Sequence, residues 1–185
     1  VAKSSKAWLH RHVSDPYVRQ ARAAGYRSRA AYKLLEIDRK DGLLTPGMRV
    51  LDLGAAPGGW SQVAAARVGP KGRVVAIDLL EIAPISGLTV LRGDVREPQT
   101  RAALKQALGG AADLVLSDLA PNLSGIPGVD QARGAELAEL ALELAGETLK
   151  PSGALLVKVF QGEAFAEVLS RVKQAFQAVS VRKPG

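Results

Sequence analysis

Asp52-Leu53-Gly54-Ala55-Ala56-Pro57-Gly58-Gly59-Trp60-Ser61 is the stretch that decides the fold of this chain. The short apolar run Arg49–Leu53 leads into it, and Gly59–Val68 reads as a helix after it, so the glycines fall where a strand turns into a helix. Working outward, the same unit recurs. Strands are expected at Arg73–Ile77, Thr89–Arg92, Leu114–Ser117, Ala154–Val159 and Ala178–Val181. Helices are expected at about Thr100–Leu108, Val129–Leu149 and Glu163–Ala175. Runs of four to six residues rich in Val, Leu and Ile suit parallel strands covered on both faces. Repeated β–α order then predicts a Rossmann-like, doubly wound α/β sheet, mostly parallel and flanked by helices.

A glycine-rich turn at a strand end lets a ligand approach the backbone closely, because glycine carries no Cβ. Three nucleotide readings compete for it. A P-loop needs Lys and then Ser or Thr after its last glycine, and here Trp60-Ser61 follows Gly59. The dinucleotide fingerprint needs a glycine at position 56, which is Ala56, and Pro57 removes an N–H that a pyrophosphate would use. The third reading is a nucleoside cofactor without pyrophosphate, S-adenosyl-L-methionine (SAM). Asp78 ends the second strand twenty positions after Gly58, where a carboxylate can accept both ribose hydroxyls. Asp94 follows the third strand and could accept from an adenine amino group, while Asp118 ends the fourth in Ser117-Asp118-Leu119-Ala120-Pro121. Each aspartate alone could merely cap a turn. Together they line the edge where open α/β sheets bind ligands.

The chain of 185 residues is 47% hydrophobic, enough for one domain with a substantial core. It has no cysteine, which excludes disulfides, Cys-ligated metal and thiol catalysis. With 25 Lys and Arg against 18 Asp and Glu, its formal charge is +7. The first forty residues hold ten basic side chains and three acidic ones, so they carry all of that excess. A polyanion is the expected partner, nucleic acid before lipid. Residues 1–40 read as a basic arm and helices, an RNA-binding platform, and residues 41–185 as the SAM-binding domain. Asp15-Pro16 starts one helix that runs to about Ala24, and Ser28 caps a second. No apolar run approaches a membrane span and no secretory signal is evident, so the expectation is a cytoplasmic protein without membrane association.

Lys158 lies among apolar residues in Leu155-Leu156-Val157-Lys158-Val159-Phe160. A lysine inside a central strand is costly unless it is paired or points into a cleft. An edge strand with a solvated lysine is the bland alternative. A desolvated catalytic amine beside Asp118 is the functional one.

Four ordered segments now resemble the FtsJ/RrmJ family of ribosomal RNA 2′-O-methyltransferases. They are Tyr26–Leu34, Asp52–Ser61, Ser117–Gly125 and Val157–Gly162. The resemblance implies a SAM-dependent enzyme that methylates a uridine ribose 2′-hydroxyl in large-subunit (23S) ribosomal RNA, with ribosomal RNA or the large subunit as partner. It implies that Lys33, Asp118 and Lys158 occupy the first three places of a Lys–Asp–Lys–Glu group, with Lys158 as proton acceptor. It also implies SAM contacts from Gly58, Trp60, Asp78, Asp94 and Asp118. Asp52 and Gly54 join the cofactor-binding set through their place in the same turn. A free lysine is almost wholly protonated near neutral pH, so a base role requires desolvation and a positive neighbour such as Lys33 to favour the neutral amine. The family's glutamate follows a stretch like Arg182-Lys183-Pro184, and this sequence has no counterpart, so a last strand is expected to be lacking.

Each assignment has a plainer alternative. Lys33 could be a phosphate contact and Trp60 a core residue, while His10 and His12 lack further metal ligands, so no metal is expected. Arg19, Arg22, Arg27 and Arg29 read as surface that tracks RNA phosphates. Two other functions share parts of the pattern: a non-catalytic RNA-binding protein on a SAM fold, and a methyltransferase acting on another RNA or a small molecule. An N6-adenine methyltransferase fits poorly, because its Asn/Asp-Pro-Pro-aromatic turn is replaced by Asp118-Leu119-Ala120-Pro121. A monomer is expected.

Overall fold

The computed structural model describes residues 15–184; the basic arm expected over residues 1–14, with His10 and His12, lies outside the described residues. Helix α1 is Pro16–Ala23, started by Asp15, whose carboxylate accepts from the Tyr17 N–H at 2.9 Å. Helix α2 is Ala30–Asp41 and stops at Gly42, which adopts a left-handed conformation. Ser28 does not cap it. Arg29 holds the N-cap position without a side-chain bond, and the Ser28 hydroxyl instead fills the space where Gly59 would carry a Cβ. Strand β1 (Arg49–Leu53) leads into α3 (Gly59–Val68), then come β2 (Arg73–Asp78), β3 (Thr89–Arg92) and α4 (Pro98–Leu108). Strand β4 (Ala112–Ser117), α5 (Pro127–Thr148), β5 (Leu149–Val157) and α6 (Phe165–Ala175) complete the described elements.

The strands form one parallel sheet in the order β3-β2-β1-β4-β5. The order reverses between β1 and β4, so the loops leaving those two strands diverge and open a crevice at their C-terminal ends. One face buries Val50, Val74, Leu114 and Leu116 beneath Ala31 and Leu34 of α2 and Trp60 and Val63 of α3. The other buries Leu51, Val75 and Val115 beneath Leu104 and Leu108 of α4 and Ala141 and Leu144 of α5. Truncating one such leucine to alanine costs about 2–5 kcal/mol. The boundary expected between residues 40 and 41 marks a change in charge, while Ala31 and Leu34 of α2 pack into the same interior as the sheet.

Two strand expectations change. β5 begins at Leu149, ahead of Lys150-Pro151-Ser152-Gly153, with a register shift between Ala112 and Leu114 on β4 absorbing the extra residues. It ends at Val157 and lies at the edge of the sheet formed by the described strands. Ala178–Val181 forms no strand, because its backbone pairs with none of the described strands, and Val181 is 54% exposed. That segment is held instead by Arg182, which donates to both carboxylate oxygens of Asp41 at 2.9 and 2.6 Å and keeps its carboxyl below the usual range.

Candidate active site

Parallel registers set the site. Val50 pairs with Val74 and Leu114, and Leu114 with Ala154, so positions an even number of residues further along share one face. Asp52, Asp78, Asp118 and Lys158 therefore arrive together at the C-terminal edge, on the face that α2 and α3 cover. Lys158 follows the last residue of β5, and its N–H still donates to the Ser117 carbonyl at 2.9 Å. Its ammonium forms an ion pair with Asp118 Oδ1 and donates to the Asp118 carbonyl at 3.3 Å. The same Nζ stands 5.5 Å from the Phe160 ring centroid, a cation–π contact. Lys158 is 33% exposed, less buried than a central strand would have made it.

The glycine-rich turn is built by protein contacts as much as for a ligand. Gly54 (φ 69°) and Gly58 (φ 113°) both adopt left-handed conformations. A Cβ on Gly54 would stand 2.9 Å from the Leu119 nitrogen, and one on Gly58 would stand 2.6 Å from Ile85 Cδ1. Close approach of the loops after β1 and β4 thus requires Gly54. Asp78 accepts from Ala56 N at 3.0 Å and Leu80 N at 2.9 Å, which fixes the turn's position over β2. Asp94 accepts from Arg96 N at 2.9 Å, the turn-capping role, yet stays partly exposed beside the third strand.

Asp52 is fully buried, beneath the turn and not on its surface. Ser61 Oγ donates to its Oδ2 at 2.6 Å, while Oδ1 has no hydrogen-bond partner among the described residues. Burial pushes the Asp52 carboxyl up to about 7, with the negative charges of Asp118 and Asp78 adding to the effect. Its placement corrects the expected direct cofactor contact: Asp52 anchors the first turn of α3 from below. Trp60, also expected among the cofactor contacts, opens α3 directly after the glycine-rich turn. Its indole is buried against α2 and its Nε1–H donates to the Ala30 carbonyl at 2.8 Å, which locks α2 onto the first turn of α3.

The arginines divide into two kinds. Arg19 and Arg22 are exposed on α1. Arg29 is exposed but paired with Asp15. Arg27, expected on the RNA surface, is half-buried and bonded to two loops of the fold. Its guanidinium donates to the carbonyls of Pro57 (3.2 Å), Ala83 (2.5 Å) and Pro84 (2.7 Å), tying the glycine-rich turn to the loop after β2. Gln62 helps it by accepting from Arg27 N at 2.9 Å and donating to the Gly25 carbonyl at 3.0 Å. Neither Gln62 nor Ser61 stood out in the sequence, because nothing in its spacing marks a polar residue that braces a loop. Arg27→Ala is expected to cost about 1–2 kcal/mol of stability and to weaken SAM binding, with the salt dependence of RNA binding unchanged. Calorimetric titration with SAM and a salt series with RNA separate the two effects. Lys33 is exposed on α2 and forms no hydrogen bond or ion pair with Asp118 or Lys158.

A family model for FtsJ-like methyltransferases matches residues 26–185. The chain belongs to the FtsJ-like methyltransferase family. Ribosomal RNA large subunit methyltransferase E of Acidithiobacillus ferrooxidans is 55% identical over 183 residues, covering 99% of this chain and 84% of that protein. Its counterpart in Azoarcus sp. (strain BH72) is 57% identical, covering 98% and 89%. A Plasmodium falciparum crystal structure described as a ribosomal RNA methyltransferase superposes with a TM-score of 0.80 at 29% identity, over 85% of this chain and 91% of that one. Aeropyrum pernix fibrillarin with bound SAM shares the fold, with a TM-score of 0.57 at 19% identity, over 78% of this chain and 66% of that one.

This FtsJ-like methyltransferase is a SAM-dependent enzyme, and the residues present fit that cofactor. SAM carries positive charge on its ammonium and sulfonium. The crevice gathers carboxylates at its edge: Asp78 ends β2 and Asp118 follows β4, the strands on either side of β1 with its buried Asp52, a donor set that suits a cationic ligand. Asp78 and Asp94 are the residues that would hold the nucleoside, and Asp118 the positively charged end. Among the described residues, no group of three or more His, Asp and Glu could hold a metal ion, and no helix is long and apolar enough to cross a membrane.

Proposed function

We propose that this enzyme methylates the ribose 2′-hydroxyl of a uridine in large-subunit ribosomal RNA, with Lys158 as general base. The observation that carries the reading is the Lys158–Asp118 ion pair at the crevice mouth, beside carboxylates placed for the cofactor. The names of the relatives support the substrate. When bound, SAM supplies a methyl group on a sulfonium, a good leaving group for in-line displacement. Once bound RNA covers Lys158 and excludes water from it, Nζ takes the proton of the attacking hydroxyl, and Asp118 holds that nitrogen in place through Oδ1 and its carbonyl oxygen. Lys33, on the exposed side of α2, would meet the RNA backbone close to the acceptor.

The basic segment is the RNA platform in this reading, and Arg19 and Arg22 are its described phosphate-binding side chains. All the proposed groups come from one chain, so a monomer suffices, and a ribosomal substrate implies work in the cytoplasm. Arg19→Ala with Arg22→Ala should reduce the slope of log K against log salt by about 1.5, at roughly 0.7–0.9 for each phosphate left without its arginine. An unchanged slope would remove α1 from the RNA interface. The reading itself is tested with methyl-labelled SAM and undermethylated large-subunit RNA. Label in a ribose-methylated uridine after nuclease digestion is expected; SAM binding without transfer to RNA would contradict it and favour a non-catalytic or small-molecule role.

A further inference from the structure

We propose that the cleft between the loop after β4 and the turn after β5 receives the base of the acceptor nucleotide, with Phe160 as its stacking platform. This inference rests on the ribose-methylating reading above. The cleft holds about 190 Å³ and is lined by Leu123, Pro127, Asp130, Gln131, Phe160 and Gln161. Pockets for whole drug-sized ligands run to roughly 300–1,000 Å³, so this one suits a single ring better than a cofactor. Phe160 joins it to the catalytic pair, because Lys158 Nζ stands 5.5 Å from the centroid of that ring. In a nucleotide the base hangs from the ribose carbon next to the one bearing the 2′-hydroxyl. A hydroxyl delivered to Lys158 therefore brings its base within a few ångströms of that ring.

The surroundings have the chemistry that a base requires. Phe160 is 37% exposed and Leu123 74%, so apolar surface stands open beside a polar catalytic pair. Gln131 and Gln161 each carry an amide that both donates and accepts, as the edge of a pyrimidine does. Aromatic stacking with amide contacts at the edge is the usual way single-stranded bases are held.

The cleft is also a built feature. A Cβ on Gly134 would stand 2.6 Å from Phe160 Cδ2, so the glycine in α5 makes the seat for the ring. Gly162 leaves the room taken by the Gln131 amide. Asp130 accepts from Ser124 N at 2.7 Å, Ser124 Oγ at 2.7 Å and Gly125 N at 3.1 Å, which fixes the opposite wall. These bonds hold the Asp130 carboxyl below the usual range, so it remains a charged anchor at working pH.

The test is steady-state transfer of labelled methyl to large-subunit RNA by wild type, Phe160→Ala, Phe160→Tyr and Gly134→Ala, with SAM affinity measured beside it. Phe160→Ala should lower kcat/KM for RNA by about 10- to 100-fold, the loss expected for one base–aromatic stack, mainly through a raised KM. Phe160→Tyr should recover most of it, and SAM affinity should not change. Gly134→Ala adds a better helix former, so the fold should persist while the displaced ring raises the KM for RNA. Transfer by Phe160→Ala within about twofold of wild type would overturn the inference. So would a change confined to kcat, which would mark Phe160 as a support for Lys158. A wild type that labels a base instead of ribose would overturn the underlying reading; a ribose-methylating wild type indifferent to Phe160→Ala would overturn this inference alone.

Discussion

Lys158→Ala is expected to lower methyl transfer to RNA by about 10²- to 10⁴-fold, the range that a positioned general base contributes. A ribose hydroxyl is a weak nucleophile, and Lys158 is the amine that the sheet delivers to the crevice mouth. Its backbone continues the β4–β5 ladder through the 2.9 Å bond to Ser117, so the position of Nζ is set by the sheet and not by a loose loop. Lys158→Arg should be nearly as inactive, because guanidinium keeps the charge but cannot accept a proton near neutral pH. SAM affinity should survive both substitutions. Asp118→Ala should lose affinity and rate together, since that carboxylate faces the cofactor and the amine. A Lys158→Ala enzyme that turns over within about tenfold of wild type would remove Lys158 from the chemistry.

Asp52→Asn is expected to remove a pH dependence of stability worth roughly 4 kcal/mol, following from a carboxyl raised from 3.8 to about 7. In the unfolded chain Asp52 ionises near pH 4, whereas in the fold it stays protonated until about pH 7. Between those values folding takes up a proton, so the wild type loses stability as pH rises, and the loss is complete above about pH 7. An asparagine can still accept from Ser61 Oγ but bears no charge. Urea unfolding at pH 5 and pH 8 should therefore show a marked difference for wild type and little for Asp52→Asn. A slope that persists in the variant would mean that the buried Asp52 is not its source.

Burial and alternation made the sheet legible. The apolar runs at Arg49–Leu53, Arg73–Ile77 and Leu114–Ser117 are strands, and the glycine-rich turn does lie between β1 and α3. Ala178–Val181 shows the limit: its composition suits a strand, but a strand exists only through a neighbour, and its backbone has no ladder partner among the described strands. The Asp118–Lys158 pair could be anticipated because both residues end adjacent strands. Arg27 could not, since its acceptors lie 30, 56 and 57 residues away and a surface arginine and a buttressing one have the same formula. Trp60 and Asp52 were ambiguous for a related reason. A turn sequence tells which residues gather at a strand end, and packing of α2 and α3 decides which of them face the crevice and which face the core.

Alkaline hydrolysis tests the central claim most directly, because strand cleavage in base requires the very hydroxyl proposed as acceptor. Large-subunit RNA methylated with labelled SAM by the wild-type enzyme should release its label in alkali-resistant dinucleotides containing uridine, and Lys158→Ala should give almost none. Label released in ordinary mononucleotides would place the methyl group on a base and contradict ribose methylation.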